Sequence, residues 1–201
     1  MANHVYFNIN LDLDAGQTAL VEKLRDSCVE KQGEMQWFSY EVENLPIYPV
    51  PFKEDDWYNW GCENIGAKWI QVEEFTECNI SGHSAWSAPI PFVHHLIQYI
   101  YDQTGNMPSA KMTYEDEFRN FIGKCEVWIA GDDVDWDYEE VDGAELNEVM
   151  EEWSGWDTSS DEFSWWDLCK AKNGDEYEPQ EVMDEMVYGF FDDGKVEVRH
   201  D

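Results

Sequence analysis

Apolar and polar residues alternate along His4-Val5-Tyr6-Phe7-Asn8-Ile9-Asn10-Leu11, the two-residue period of a strand with one buried face. The period then changes. Across residues 15–31, Leu20, Leu24 and Cys28 fall on one stripe with Val21 beside it, which predicts an amphipathic helix. The proline-containing residues 45–51 predict a loop, and residues 56–64 a short helix that stops before Gly66. Residues 68–76 and 79–86 predict two strands joined by a tight turn. Residues 87–104 predict a second long helix, with Pro89 and Pro91 in its first turn, where a missing N–H costs little, and Gly105 at its end. Two further strands are expected at 111–118 and 122–130, around Gly123. The order β-α-β-β-α-β with one extra strand is the split βαβ, or ferredoxin-like, pattern of the α+β class. Only one side of these strands is consistently apolar. One antiparallel sheet with both long helices on a single face is therefore expected.

Composition supports a folded chain in spite of its charge. Of 201 residues, 31 are Phe, Trp or Tyr and 43% are apolar, enough for a core. Against 12 Lys and Arg stand 45 Asp and Glu, a net charge of −33. Such a surface repels phosphates, so direct nucleic-acid binding and an anionic membrane face are excluded as expectations. The charge is uneven. Residues 1–125 carry 8 basic and 19 acidic side chains, a net of −11; residues 126–201 carry 4 and 26, a net of −22. A soft boundary is placed near Gly131, giving a domain at 1–131 and an acidic extension at 132–201. No Gly/Ser-rich or proline-rich linker separates them, so the extension is expected to pack on the domain. The five cysteines have no CxxC spacing and read as reduced thiols, mostly small buried hydrophobes. Residues 1–14 lack a basic segment followed by an apolar one, and residues 88–101 are too short and too polar to span a bilayer. The expected location is cytoplasmic, that of the host cell if the chain is viral.

A family resemblance rests on particular residues. The run Trp57-Tyr58-Asn59-Trp60-Gly61-Cys62-Glu63-Asn64-Ile65-Gly66-Ala67-Lys68-Trp69 resembles the W-Y-x-W-x-x-x-N-W-G-T-K-W signature of the YubB ferredoxin-like proteins of phages and conjugative plasmids. Ala85-Trp86-Ser87-Ala88-Pro89-Ile90-Pro91 is similar to that family's x-W-S-P-P-x-P turn. Tyr114-Glu115-Asp116-Glu117, with Phe121 and Gly123, is similar to its Y-x-E-E-x-x-x-F-x-G strand pair. The resemblance covers about residues 3–130 and departs at Ile65 and Ala67, where the family prefers Trp and Thr. It implies a ferredoxin-like fold and a mobile-element origin, and no activity.

Candidate chemistry is sparse. The aromatic loop with Trp57, Trp60, Asn64, Lys68 and Trp69 admits two readings: an anchor for a ligand or partner, or core tryptophans around a turn. His94 and His95 are adjacent, so they project about 100° apart and make no i,i+4 metal pair. A convergence with His4 and His83 has no supporting spacing. Asp133, Asp135 and Asp137 alternate as D-x-D-x-D, but Tyr138 and Ala144 stand where an EF-hand needs Gly and Glu. The run reads as a solvated acidic strand, with weak divalent-ion binding as the alternative. No phosphate-binding glycine loop, G-x-S-x-G elbow or H-E-x-x-H helix is present, so no catalytic residue, metal or cofactor is expected.

Beyond the boundary, Glu151-Glu152-Trp153-Ser154-Gly155-Trp156-Asp157 and Asp161-Glu162-Phe163-Ser164-Trp165-Trp166-Asp167 interleave acids with aromatics. Residues 178–185 add acids, and residues 187–198 read as a closing hairpin turned at Asp192-Asp193-Gly194. Aromatics inward and carboxylates outward would let a folded surface present charge as a duplex presents phosphates. The functional expectation is a non-catalytic accessory protein that binds a basic host or viral protein, as a nucleic-acid mimic. Asp132, Asp133, Asp135, Asp137, Glu139 and Glu140 are its acidic contacts, together with the aromatic loop. The alternative is a structural or regulatory module that uses the loop at 57–69 for a small ligand or protein, with acidity serving solubility. Oligomeric state has no signal in the sequence.

Overall fold

The computed structural model describes residues 3–32, 38–118 and 120–142. The acidic aromatic segments expected at 151–167 and 178–185, and the hairpin at 187–198, lie outside the described residues. The described residues fall into two units, one within 3–118 and 125–137 and the other within 120–124 and 138–142.

Strand β1 (His4–Asp12) follows its alternation, with Val5, Phe7, Ile9 and Leu11 buried and Tyr6, Asn10 and Asp12 exposed. Asn8 is buried on the polar side, where its side-chain oxygen accepts from Asn79 Nδ2 at 2.6 Å. Helix α1 (Ala15–Ser27) opens with a capping box. Asp14 Oδ1 accepts from the Gly16 and Gln17 amides at 2.7 and 2.9 Å, and Gln17 Oε1 accepts from the Asp14 amide at 2.8 Å.

The helix ends four residues earlier than its periodicity predicts. Cys28 turns extended, and β2 (Val29–Gln32) pairs antiparallel with β3 (Phe38–Glu41). After Val29 come Glu30, Lys31 and Gln32, so another helical turn would bury almost nothing, whereas pairing satisfies the backbone.

A 3-10 turn at Glu54–Asp56 leads into α2 (Trp57–Asn64). Strands β4 (Ile70–Phe75) and β5 (Asn79–Ala85) follow, antiparallel with an irregularity between Val72 and Glu74. Helix α3 (Ile90–Thr104) buries Phe92, Val93, Leu96, Ile97 and Ile100 along one stripe. It stops at Gly105, whose φ of 71° is left-handed and whose N–H donates to the Tyr101 carbonyl at 2.7 Å. Strands β6 (Ser109–Asp116), β7 (Phe121–Ala130) and β8 (Asp133–Asp142) complete an eight-stranded sheet in the order β2-β3-β4-β5-β1-β6-β7-β8.

Five strands were expected in residues 1–131, and the described residues contain eight. The central four run β4-β5-β1-β6, with α1 between β1 and β4 in the chain and α3 between β5 and β6. Every pairing with a described register is antiparallel. Strands β7 and β8 are sheet neighbours joined only by Gly131 and Asp132, a link too short for any arrangement but antiparallel. Gly131, with φ 73°, supplies the left-handed residue of that turn. The sequence boundary near Gly131 thus coincides with a hairpin turn, and the acidic run continues as a strand.

Helices α1 and α3 pack against each other, as do α2 and α3. Gln17 Nε2 on α1 also donates to the Asn106 carbonyl just past α3, at 2.9 Å. The helices therefore share one face of the sheet, above Val5, Phe7 and Ile9 of β1 and Met112 of β6, which are all buried. No described helix is long and apolar enough to cross a membrane.

Candidate functional site

Helix α2 splits the aromatic loop in two. Trp60 points inward: it is 4% exposed, its Nε1 donates to the Val50 carbonyl at 2.9 Å, and the rings of Tyr48 and Phe52 meet it edge-on. Asn64 is also buried, with its Nδ2 on the Trp60 carbonyl at 3.0 Å. These two are core. Trp57 and Tyr58, at the start of the same helix, are 44% and 43% exposed.

Backbone geometry brings two more residues to them. The Lys68 amide donates to the Ala85 carbonyl and the Ala85 amide to the Trp69 carbonyl, at 3.4 and 3.0 Å, which sets Lys68 beside Trp86. Gly61 permits this approach, because a Cβ there would stand 2.8 Å from the Lys68 carbonyl oxygen. Lys68 Nζ then lies 4.8 Å from the Trp86 ring centre and 5.8 Å from that of Trp57. Tyr58 closes the set, 5.9 Å from Trp57 and 6.4 Å from Trp86, edge-on to both. Trp86 is 49% exposed and has φ 76°, the one described non-glycine residue in the left-handed region. A bulky side chain is thus held in a sparsely populated backbone conformation while its ring faces water.

Trp69 does not join this cluster. It is half-buried and packs edge-on against His4 and His83, at 5.5 and 5.6 Å. Those histidines meet each other at 4.9 Å, and each holds a carboxylate: His4 Nδ1 to Glu117 at 3.1 Å, His83 Nδ1 to Glu73 at 3.3 Å. Burial, aided by His4, lowers the His83 pKa, and Glu73 opposes that shift. His94 and His95 stay apart from this pair. His94 packs on Trp136 at 4.3 Å and His95 edge-on to Tyr48 at 5.6 Å. Burial, reinforced by His95, pushes the His94 pKa down to about 4. Among the described residues, no group of three or more His, Cys, Asp or Glu is placed to hold a metal ion.

The acidic residues of β8 and the turn before it differ from one another. Asp132 is tied down: its Oδ1 accepts from Tyr101 Oη at 3.0 Å and its carbonyl from Gln98 Nε2 at 3.3 Å. Asp133, Asp135 and Asp137 are exposed and alternate along β8, so their carboxylates project from one side, roughly 7 Å apart at the usual rise. Trp136 takes the opposite side, against His94 on α3. Among the described residues no Lys or Arg forms an ion pair with these three aspartates. Glu139 is half-buried with Lys124 Nζ at 3.1 Å, and Glu140 is half-buried.

The described cysteines do not follow a single pattern. Cys125 is buried, its thiol pushed up to about 12 by burial and by Asp137 and Glu126. Cys28 is half-buried, and Cys62 and Cys78 are exposed, contrary to the expectation of mostly buried thiols.

No family model, curated protein or solved structure matches this chain.

Of the candidates named from the sequence, Trp57 and Lys68 fall in this cluster, while Tyr58 and Trp86, which complete it, were not among the named candidates. Trp86 carried a signal of its own, since Trp86-Ser87-Ala88-Pro89 leaves a large aromatic in a turn between a strand and a helix.

Proposed function

We propose that this chain is a non-catalytic accessory protein that binds a basic host or viral protein through its acidic surface, as a mimic of nucleic acid. The carrying observation is the row of Asp133, Asp135 and Asp137, exposed on one side of β8 and free of basic partners among the described residues. A strand fixes the spacing of its side chains, so these charges form a template, unlike acids on a mobile chain. The concentration of −22 in residues 126–201 favours fast, steered association with a basic cleft. The core order β4-β5-β1-β6 supports a ferredoxin-like fold, elaborated by β2 and β3 on one edge and β7 and β8 on the other. The resemblance to the YubB proteins supports a phage or conjugative-plasmid origin.

The test is capture from host lysate at low salt, followed by elution in a salt gradient and competition with duplex DNA. A retained DNA-binding protein that DNA displaces supports the reading. Retention of nothing basic, or failure of DNA to compete, rejects it. The exposed Trp57, Tyr58 and Trp86 favour a second reading, a binding module that works through its aromatic surface while its acidity serves solubility.

A further inference from the structure

We infer that Trp57, Tyr58 and Trp86 form a cage for a cationic side chain, a lysine or arginine of the bound partner, and that Lys68 is its internal occupant in the free protein. This rests on the reading above in one respect, that the partner is basic.

Three aromatic side chains, each more than two-fifths exposed, converge from α2 and from the turn after β5. None of the three is among the buried core residues, a place that Trp60 takes from the same helix, and their exposed ring surface costs solubility. The φ of 76° at Trp86 is a second, independent departure from what folding alone favours. The chemistry of the cluster is legible from what already sits on it. An ammonium lies 4.8 and 5.8 Å from two indole centres, within the range at which the negative face of a ring attracts a cation. The exposed Glu54, Asp55 and Asp56, in the turn that leads into Trp57, add negative potential beside it. An anionic ligand is disfavoured at such a place and a cation is favoured. Lys68 sits at the end of a flexible four-carbon stem. It can swing into water when another cation enters, so its presence lowers the apparent affinity without blocking the site.

Tetramethylammonium is the direct probe, since it carries one charge and none of the multivalency of a basic protein. It is titrated into the full chain and followed by the indole N–H signals in two-dimensional NMR, with sodium chloride at equal ionic strength as control. Trp57→Phe and Trp86→Phe assign the signals. The expected result is a saturable shift of the Trp57 and Trp86 signals with tetramethylammonium alone, while the buried Trp60 signal stays in place. Lys68→Ala should tighten binding by about two- to fivefold, the worth of one exposed cation–π contact. Tyr58→Leu or Trp86→Leu should weaken it by at least as much, and the two variants guard against one of them failing to fold. Absence of a tetramethylammonium-specific shift in both the native chain and Lys68→Ala overturns the cage. Unchanged or weaker binding by Lys68→Ala overturns the role given to Lys68. Hexalysine separates this from the acidic-surface reading. If it binds in a way that depends on Asp133, Asp135 and Asp137 while tetramethylammonium does nothing, the cage falls and the acidic surface stands. If tetramethylammonium binds while hexalysine ignores those aspartates, the reverse holds.

Discussion

Trp57 and Trp60 are three positions apart on α2 and have opposite consequences. Trp60→Ala removes a buried ring and its hydrogen bond to Val50, and the loss expected is about 3–5 kcal/mol, read as a lowered midpoint in denaturant. Trp57→Ala, at an exposed position, should stay within about 0.5 kcal/mol in the same measurement. Sequence alone left both readings open for these tryptophans, because at a spacing of three they lie only about 60° apart around a short helix, and the pattern does not say where the edge of the core falls. His94 gives a pH-dependent case. Its pKa falls from the ordinary 6.5 to about 4, so the fold favours the neutral ring. The stability that it contributes is complete above pH 6.5 and is lost as pH falls from 6.5 towards 4. His94→Leu removes that dependence. The Tm of the native chain relative to this variant should therefore decline across that window, and an unchanged difference would show that His94 is not held neutral. Nothing in the adjacent pair His94-His95 announced that Trp136, forty-two positions on, would cover one of them.

At the level of elements, the strongly periodic segments were legible and their ends were decided by tertiary partners. Strand β1 begins where its alternation begins, and α3 ends at the glycine that ends its stripe. Helix α3 starts at Ile90, three residues later than expected, because Ser87 Oγ instead donates to the Gly66 carbonyl and ties that turn to the loop after α2. The pair β2 and β3 was not read from the sequence, since four residues each are too few to establish a period, and pairing with each other and of β3 with β4 gives them a structure. Gly66 marks the tightest of these junctions. Its φ is 87°, and a Cβ there would lie 2.3 Å from Cδ of Pro91 on α3. Gly66→Ala combines a left-handed cost with that clash and should destabilise by more than about 1 kcal/mol, measured by thermal or denaturant unfolding. Gly105→Ala is the control. The φ there is 71° with no atom within 4 Å of the added Cβ, so only the conformational part remains and the loss should be smaller.

Across the whole molecule, charge is the property the sequence states most plainly and structure refines most. A net of −33 says that the surface is acidic, and the strand says which acids are arranged. Asp132 holds a turn and Glu139 is matched by Lys124, which leaves Asp133, Asp135 and Asp137 as the exposed aspartates that alternate along the strand. Their separation, roughly 7 Å, is less than the Debye length of about 10 Å at 0.1 M salt, so an approaching cation feels them together. Replacing all three with Asn keeps the shape and removes three charges. Association with a basic partner should slow, and the slope of its rate against ionic strength should flatten, because steering depends on the summed field. Folding should hold or improve as self-repulsion falls, which separates this outcome from simple unfolding. Stopped-flow association at several salt concentrations, beside a melting curve, measures both effects. A rate and salt slope equal to those of the native chain would mean that the charge acts diffusely, as it does when acidity serves only to keep a protein in solution.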